Sequence, residues 1–248
     1  MTSQRRSPAL PREPRTEARA RVFLLPYSGC GASMYRGWPT MHEGVNFCPV
    51  QLPGRENRMR EAPYNTYGEL ASSLAHALSP YFDRPYALFG HCGSALAAYE
   101  TAVRLSEGDY SPPVRLFVSS EVAPQDGPYG RFLDMTDEEL TAELGSLLSS
   151  MGSQPDPELI EITMQVLTHD LGLNKRYHIP HPRRLPIPIT TIGWSHDTGI
   201  PPQMMSGWAE CGEVDSVVLE GGHYAFAGGP TALLGLITRS LQGSEKRG

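Results

Sequence analysis

The chain has 248 residues, 40% of them hydrophobic and 19% charged, with a formal charge of -6. That is the composition of a globular protein able to bury one sizeable core. The acidic balance argues against a general nucleic-acid binder, and no apolar run approaches the roughly 18 residues of a membrane span.

The opening stretch "MTSQRRSPALPREPRTEARA" lacks the apolar segment of a secretory signal. Rich in Pro and Arg and poor in large apolar residues, residues 1–20 are expected to form a disordered leader. A single α/β domain is expected over 21–243, and a frayed tail over 244–248. Six short β-rich runs follow: 21–27, 45–53, 86–91, 114–123, 187–195 and 216–222. None alternates strictly, so the strands read as buried on both faces of a mostly parallel sheet. Helical stretches at 66–80, 93–108 and 230–243 lie between and after them, Pro230 suiting a first helical turn. Strand and helix in alternation define a doubly wound α/β sheet.

Residues 124–182 break the rhythm with two helical signals and no strand. The first opens with the capping box Thr136 and Glu139 and aligns Leu140, Leu144, Leu147, Leu148 and Met151 on one face. The second opens with Asp156 as N-cap and Pro157 in the first turn. A helical insertion of this kind is expected to form a lid over the ligand-binding edge of the sheet.

The stretch "FGHCGSALAAYE", residues 89–100, reads as a strand end, a sharp turn and a helix. It places Cys92 at the apex, with small Gly90, Gly93 and Ser94 permitting the turn. At a helix N-terminus the dipole and free N–H groups favour thiolate. In such folds a nucleophile is followed in chain order by an acid and a histidine. His223 is the expected base, and Asp197 the expected orienting acid, with Glu121 as the alternative. The oxyanion hole is expected from the N–H of Gly93 and that of Tyr27 or Ser28. Cys30, Cys48 and Cys211 lie far from one another without a C-x-x-C, so they read as buried apolar residues. A disulfide framework or zinc site is not expected, and a reducing cytoplasm is the expected setting. His91, His178, His181 and His196 are assigned no metal.

Four segments in order carry a resemblance: "FLLPYSGCGASMYRGWP", "VQLPGRENRMRE", "YALFGHCGSALAAYE" and "GGHYAF". Together they resemble the type II thioesterases, stand-alone α/β-hydrolases that serve polyketide synthases and nonribosomal peptide synthetases. The resemblance implies an α/β-hydrolase fold with residues 124–182 as lid, and the triad Cys92, Asp197 and His223. It implies no cofactor of the enzyme's own. The substrate arrives as a thioester on the phosphopantetheine arm of an acyl or peptidyl carrier protein, and a monomer is expected. Three departures stand out: Cys92 for serine, Ser94 for glycine, and loss of the acidic pattern around Asp197. Arg55, Arg58 and Arg60, or Arg183 and Arg184, are candidates for docking an acidic carrier. Met59, Met135, Met151 and Met164 are candidate linings of an acyl channel. Three activities stay open: hydrolysis of the acyl-cysteine, transfer of the acyl or aminoacyl group to a second acceptor, and an idle carrier-binding scaffold.

Overall fold

Seven strands make one sheet in the order β2-β3-β1-β4-β5-β6-β7. In chain order the elements are β1 (Ala20–Leu24), β2 (Met41–His42), β3 (Val45–Pro49), α1 (Tyr67–Leu78), β4 (Tyr86–His91), α2 (Gly93–Glu107) and β5 (Arg115–Ser119). There follow α3 (Asp137–Ser150), α4 (Pro157–Arg176), β6 (Ile189–Trp194), α5 (Trp208–Cys211), β7 (Val214–Leu219) and α6 (Thr231–Ser244). This computed structural model describes residues 7–130, 132–150 and 156–244. Every strand pairing is parallel except that of the two-residue β2 with β3. The sheet expected from the alternation of strands and helices is present, and the short antiparallel edge strand β2 is an addition no sequence period can reveal.

Alternate residues of the central strands feed two apolar layers, one on each face. Phe23, Leu88, Leu116 and Val118 pack with Leu70 and Leu74 of α1 and Leu96 and Leu105 of α2. Val22, Leu24, Phe89, Phe117 and Ile192 pack with Leu233 and Ile237 of α6 and with leucines of α3 and α4. Each such residue contributes about 1.5–3 kcal/mol when fully buried, and the helices are held mainly by this burial. The expectation of strands buried on both faces fails at β7, where Asp215, Ser216 and Val218 are exposed. As an edge strand it has only β6 beside it.

The disordered leader expected over 1–20 is corrected for residues 7–20. Ala9 and Leu10 join the core layer beside α1, the Gln51 N–H donates to the Ala9 carbonyl at 2.8 Å, and the Arg19 N–H donates to that of Gly44 at 2.8 Å. Prolines in this stretch already restrict the unfolded chain, so a few apolar anchors and edge hydrogen bonds suffice to order it. Residues 1–6 of that expected leader lie outside the described residues, as do 245–248 of the expected tail.

The insertion consists of α3 and α4 between β5 and β6. Thr136 and Glu139 form the reciprocal capping box, with the Thr136 N–H donating to Glu139 at 2.8 Å and the Glu139 N–H to Thr136 at 3.3 Å. Asp156 caps α4 by accepting from the Leu159 N–H at 2.8 Å. Leu140, Leu144, Leu147 and Leu148 are buried as their spacing predicts; Met151 lies outside the described residues.

Candidate active site

The site begins at the C-terminal end of β4. Cys92 follows it with φ 55° and ψ -142°, then α2 starts at Gly93. A non-glycine residue at such angles stores about 1–3 kcal/mol of backbone strain. Cys92 is held there by its N–H donating to the Ser119 carbonyl at 2.8 Å and its carbonyl accepting from Ala95 at 2.7 Å. Only glycine fits at position 90, where a Cβ would lie 2.6 Å from the Cα of Ala95 and closer still to the Ser94 carbonyl. Ser94 explains its own departure from glycine. Its buried hydroxyl accepts from the His91 N–H at 3.0 Å and donates to the His91 carbonyl at 3.0 Å, bracing the elbow.

His223 starts a 3-10 turn, His223–Gly228, after β7, and Asp197 lies in the loop after β6. The His223 Nδ1 lies 2.8 Å from Asp197 Oδ2. Asp197 Oδ1 accepts from the N–H groups of Gly199 and Ile200 at 2.9 and 3.0 Å. Burial pushes the Asp197 carboxyl up, but the His223 hydrogen bond and charge, with the Ile200 N–H, outweigh it and hold the acid well below its usual range. Between the two candidate acids, Asp197 is the one hydrogen-bonded to His223. Glu121, fully buried just beyond β5, instead accepts the Val122 N–H, and burial pushes its carboxyl up to about 8.

The expected preference for thiolate at Cys92 is corrected. Burial, and next the charge of Glu121, push the thiol well above its ordinary value; the Gly93 N–H and the Tyr27 hydroxyl only partly hold it back. A helix N-terminus worth about 0.3–1 kcal/mol does not offset desolvation of this size. At rest, then, Cys92 is a thiol. The other three cysteines are buried, and burial pushes each up to about 12.

Tyr27 plays a different part from the one expected. Its N–H donates to Met34 Sδ at 3.0 Å, so it is not an open oxyanion donor. Of the N–H groups expected to serve an oxyanion, those of Ser28 and Gly93 remain as candidates. The Tyr27 side chain is the contribution sequence reasoning missed: its hydroxyl lies 3.3 Å from His223 Nε2, the ring nitrogen that Asp197 does not hold. His91, fully buried, stacks on Phe226 at 3.8 Å and shares a hydrogen bond of 2.9 Å with Ser119, a structural role. His178, His181 and His196 are exposed. No cluster of His, Cys, Asp or Glu among the described residues has the makings of a metal site.

The insertion closes over this constellation. Only about 10 Å³ of space remains beside Tyr27 and Ser28, bounded by Leu144 and Leu147 of α3 and Leu167 of α4. Asp170 of α4 accepts a bidentate hydrogen bond from the buried Arg55, both contacts 2.8 Å, and a third from the Gly29 N–H at 2.9 Å. Arg55 is therefore a latch and not the docking residue expected. Arg58 is also engaged, with Glu61 and the Gln51 carbonyl. Arg60 is exposed, Arg183 pairs with Glu107 at the surface, and Arg184 donates to the carbonyls of Ala209 and Glu210. Met59 is exposed, whereas Met135 and Met164 are partly buried against the core layer. A larger cavity of about 350 Å³ lies away from the triad, against Pro11, Trp38, Phe47 and Cys48.

A strand-to-helix elbow followed in order by acid and histidine, on a doubly wound parallel sheet, is the arrangement of α/β-hydrolases. Within that class the match is specific: residues 20–241 fit the model of the Thioesterase domain family, and the chain belongs to it. It is 32% identical over 197 residues to the gramicidin S biosynthesis protein GrsT of Aneurinibacillus migulanus, covering 78% of this chain and 77% of that one. The structure resembles RedJ, a thioesterase of prodiginine biosynthesis in Streptomyces coelicolor, with TM-score 0.75 and 32% identity over 91% of this chain and 90% of RedJ. It also resembles BorB, a type II thioesterase from the borrelidin biosynthetic cluster, with TM-score 0.79 and 28% identity over 93% and 95% of the two chains. The chain is thus a Thioesterase-domain protein on an α/β-hydrolase fold. Among its described residues no helix is long and apolar enough to cross a membrane.

Proposed function

We propose that the protein hydrolyses acyl or aminoacyl thioesters carried on the phosphopantetheine arm of a carrier protein, through an acyl-Cys92 intermediate, in the cytoplasm. The observation that carries this reading is the His223–Asp197 pair at 2.8 Å, joined through the Tyr27 hydroxyl to a cysteine held at φ 55° at the start of α2. His223 Nε2 takes the Cys92 proton as sulfur attacks the thioester carbon, while the N–H groups of Ser28 and Gly93 hold the developing oxyanion. Collapse expels the phosphopantetheine sulfur, which receives that proton. Water then adds to the acyl-cysteine with His223 again as base, releasing the free acid and restoring the thiol. Entry requires α3 and α4 to lift, so residues 124–182 act as the lid.

The sulfur of Cys92 also supports a second reading. An acyl-S-cysteine retains the free energy of the incoming thioester, so passage to another phosphopantetheine thiol is nearly isoenergetic, whereas a serine oxoester would lie downhill. The test is a two-carrier assay with an acyl-loaded donor, an empty phosphopantetheinylated acceptor and catalytic enzyme, both carriers followed by intact mass. Free acid with a bare acceptor supports hydrolysis; label on the acceptor replaces that reading with transfer. A donor that stays loaded, with no Cys92 adduct, overturns both and leaves the scaffold.

A further inference from the structure

Two buried acceptors beside the nucleophile have no partner among the described residues: Oε2 of Glu121 and Oδ1 of Asn174. Glu121 is fully buried and Asn174 is 4% exposed. The other carboxyl oxygen of Glu121 accepts the N–H of Val122 at 3.0 Å. Asn174, on α4, stands against Gly93: a Cβ placed on Gly93 would lie 3.2 Å from its amide nitrogen, 3.1 Å from Ser28 Oγ and 3.5 Å from Tyr67 Oη. This wall therefore surrounds the residue that donates to the oxyanion. The Asn174 amide also interacts with the Glu121 carboxyl, and the Glu121 charge reaches the Cys92 sulfur.

Buried polar groups left unpaired are expensive, and native proteins seldom keep two together without a use for them. Here both atoms are acceptors, one of them on a carboxyl that burial keeps protonated while the site is empty; an ammonium between them would give both a donor and let the carboxyl ionise beside a matching charge. In an α-aminoacyl thioester the ammonium sits on the carbon next to the carbonyl that Cys92 attacks, and so beside the oxyanion donors. We propose that Glu121 and Asn174 form a subsite for the α-ammonium group of an aminoacyl thioester, making amine-bearing acyl groups the preferred substrates. This rests on the acyl-Cys92 reading above and narrows its substrate class. A site built to pair a substrate donor rejects the analogue lacking it far more strongly than a purely apolar pocket discriminates by shape.

The test compares alanyl and isobutyryl groups, close in shape, loaded on one phosphopantetheinylated carrier. The initial rate of Cys92 acylation is read by intact mass for wild type, Glu121→Gln and Asn174→Leu. Wild type is expected to favour alanyl by tenfold or more, and each variant to reduce the alanyl-to-isobutyryl ratio at least tenfold. A wild-type ratio near one overturns the subsite without any variant being needed. So does a ratio that the variants leave unchanged because both substrates slow alike, the result of a merely structural role. Isobutyryl adducts on Cys92 in either case leave the acyl-cysteine reading standing; absence of any adduct from both substrates overturns the two together.

Discussion

The hydroxyl of Tyr27 lies 3.3 Å from Nε2 of His223, the ring nitrogen that Asp197 does not hold. A hydrogen bond there competes with the one His223 must make to the thiol. Net bonds of this kind are worth about 0.5–1.5 kcal/mol. The hydroxyl also gives the Cys92 thiolate a donor, yet it occupies the base that generates that thiolate, so the net effect of Tyr27→Phe should be a rise of about 3-fold in the rate of Cys92 alkylation by iodoacetamide at pH 7.5. Peptide mapping of quenched time points reads it directly. An unchanged or slower rate would mean that the hydroxyl does not restrain the base.

Asp197 fixes His223 through Nδ1 and is itself fixed by the Gly199 and Ile200 N–H groups. Asp197→Asn keeps the shape but offers an amide donor to Nδ1, which forces the tautomer that presents a proton, not a lone pair, to Cys92. The acylation rate should fall by about 10²–10⁴, as expected when a triad loses its orienting acid. Circular dichroism should stay native. A loss under about threefold in single-turnover acylation would reassign the acid.

Much of this architecture was legible in the chain. Runs such as "YALFGH" are short and apolar, and the order of Cys92, Asp197 and His223 follows the order of the strands that carry them. What escaped was decided by tertiary contact. Tyr27 or Ser28 was expected to give its N–H, yet a methionine seven residues on takes that of Tyr27, whose hydroxyl instead meets His223. Arg55 sits in a basic cluster that reads as surface, and only the fold brings Asp170 to it from 115 residues away. Ala9 and Leu10 sit among prolines and charges, where composition masks two good anchors. Burial also reversed the expected ionisation of Cys92, a quantity no local pattern contains.

The Arg55–Asp170 pair ties the inserted α4 to the turn after β1, whose Gly29 N–H shares the same carboxylate. Removing one partner of a buried ion pair leaves the other charge uncompensated, a loss of about 3–5 kcal/mol. Asp170→Ala should loosen α4 selectively. Hydrogen exchange over 157–176 should accelerate and Cys92 alkylation should rise, while amides of β4 and β5 keep their protection. Uniform loss of protection across the sheet would make the pair a global brace and not a latch.

Glu121 carries the pH dependence. Its carboxyl is pushed up to about 8 in the fold from an ordinary value of 4.5. The unfolded chain thus holds fewer protons than the native one between those values, and stability falls as pH rises through this window. The contribution is a few kcal/mol, fully present below about pH 4.5 and lost above about pH 8. Glu121→Gln removes the titration, so the difference in unfolding free energy between variant and wild type should grow in the variant's favour from pH 6 to pH 9. Urea melts of both proteins at the two pH values measure it. A pH-independent difference would show that Glu121 does not titrate in this range.

Serine in place of Cys92 separates the two reactions that the sulfur permits. The elbow itself should accept the change, because its geometry rests on Gly90, on the Ser94 brace and on main-chain bonds to Ser119 and Ala95. The hydroxyl, like the resting thiol, is protonated and needs His223, so the same base and oxyanion donors apply. What changes is the intermediate. An oxoester lies downhill from the incoming thioester, and its return to a thiol is uphill, so water becomes the favoured acceptor. If hydrolysis is the native reaction, Cys92→Ser should keep it within roughly tenfold, a change of about 1.4 kcal/mol in the barrier. If transfer is native, the variant should lose label on the acceptor carrier and gain free acid. The sulfur is then what keeps the acyl group activated between carriers, and the chain uses a hydrolase scaffold to prevent the step for which the scaffold is named.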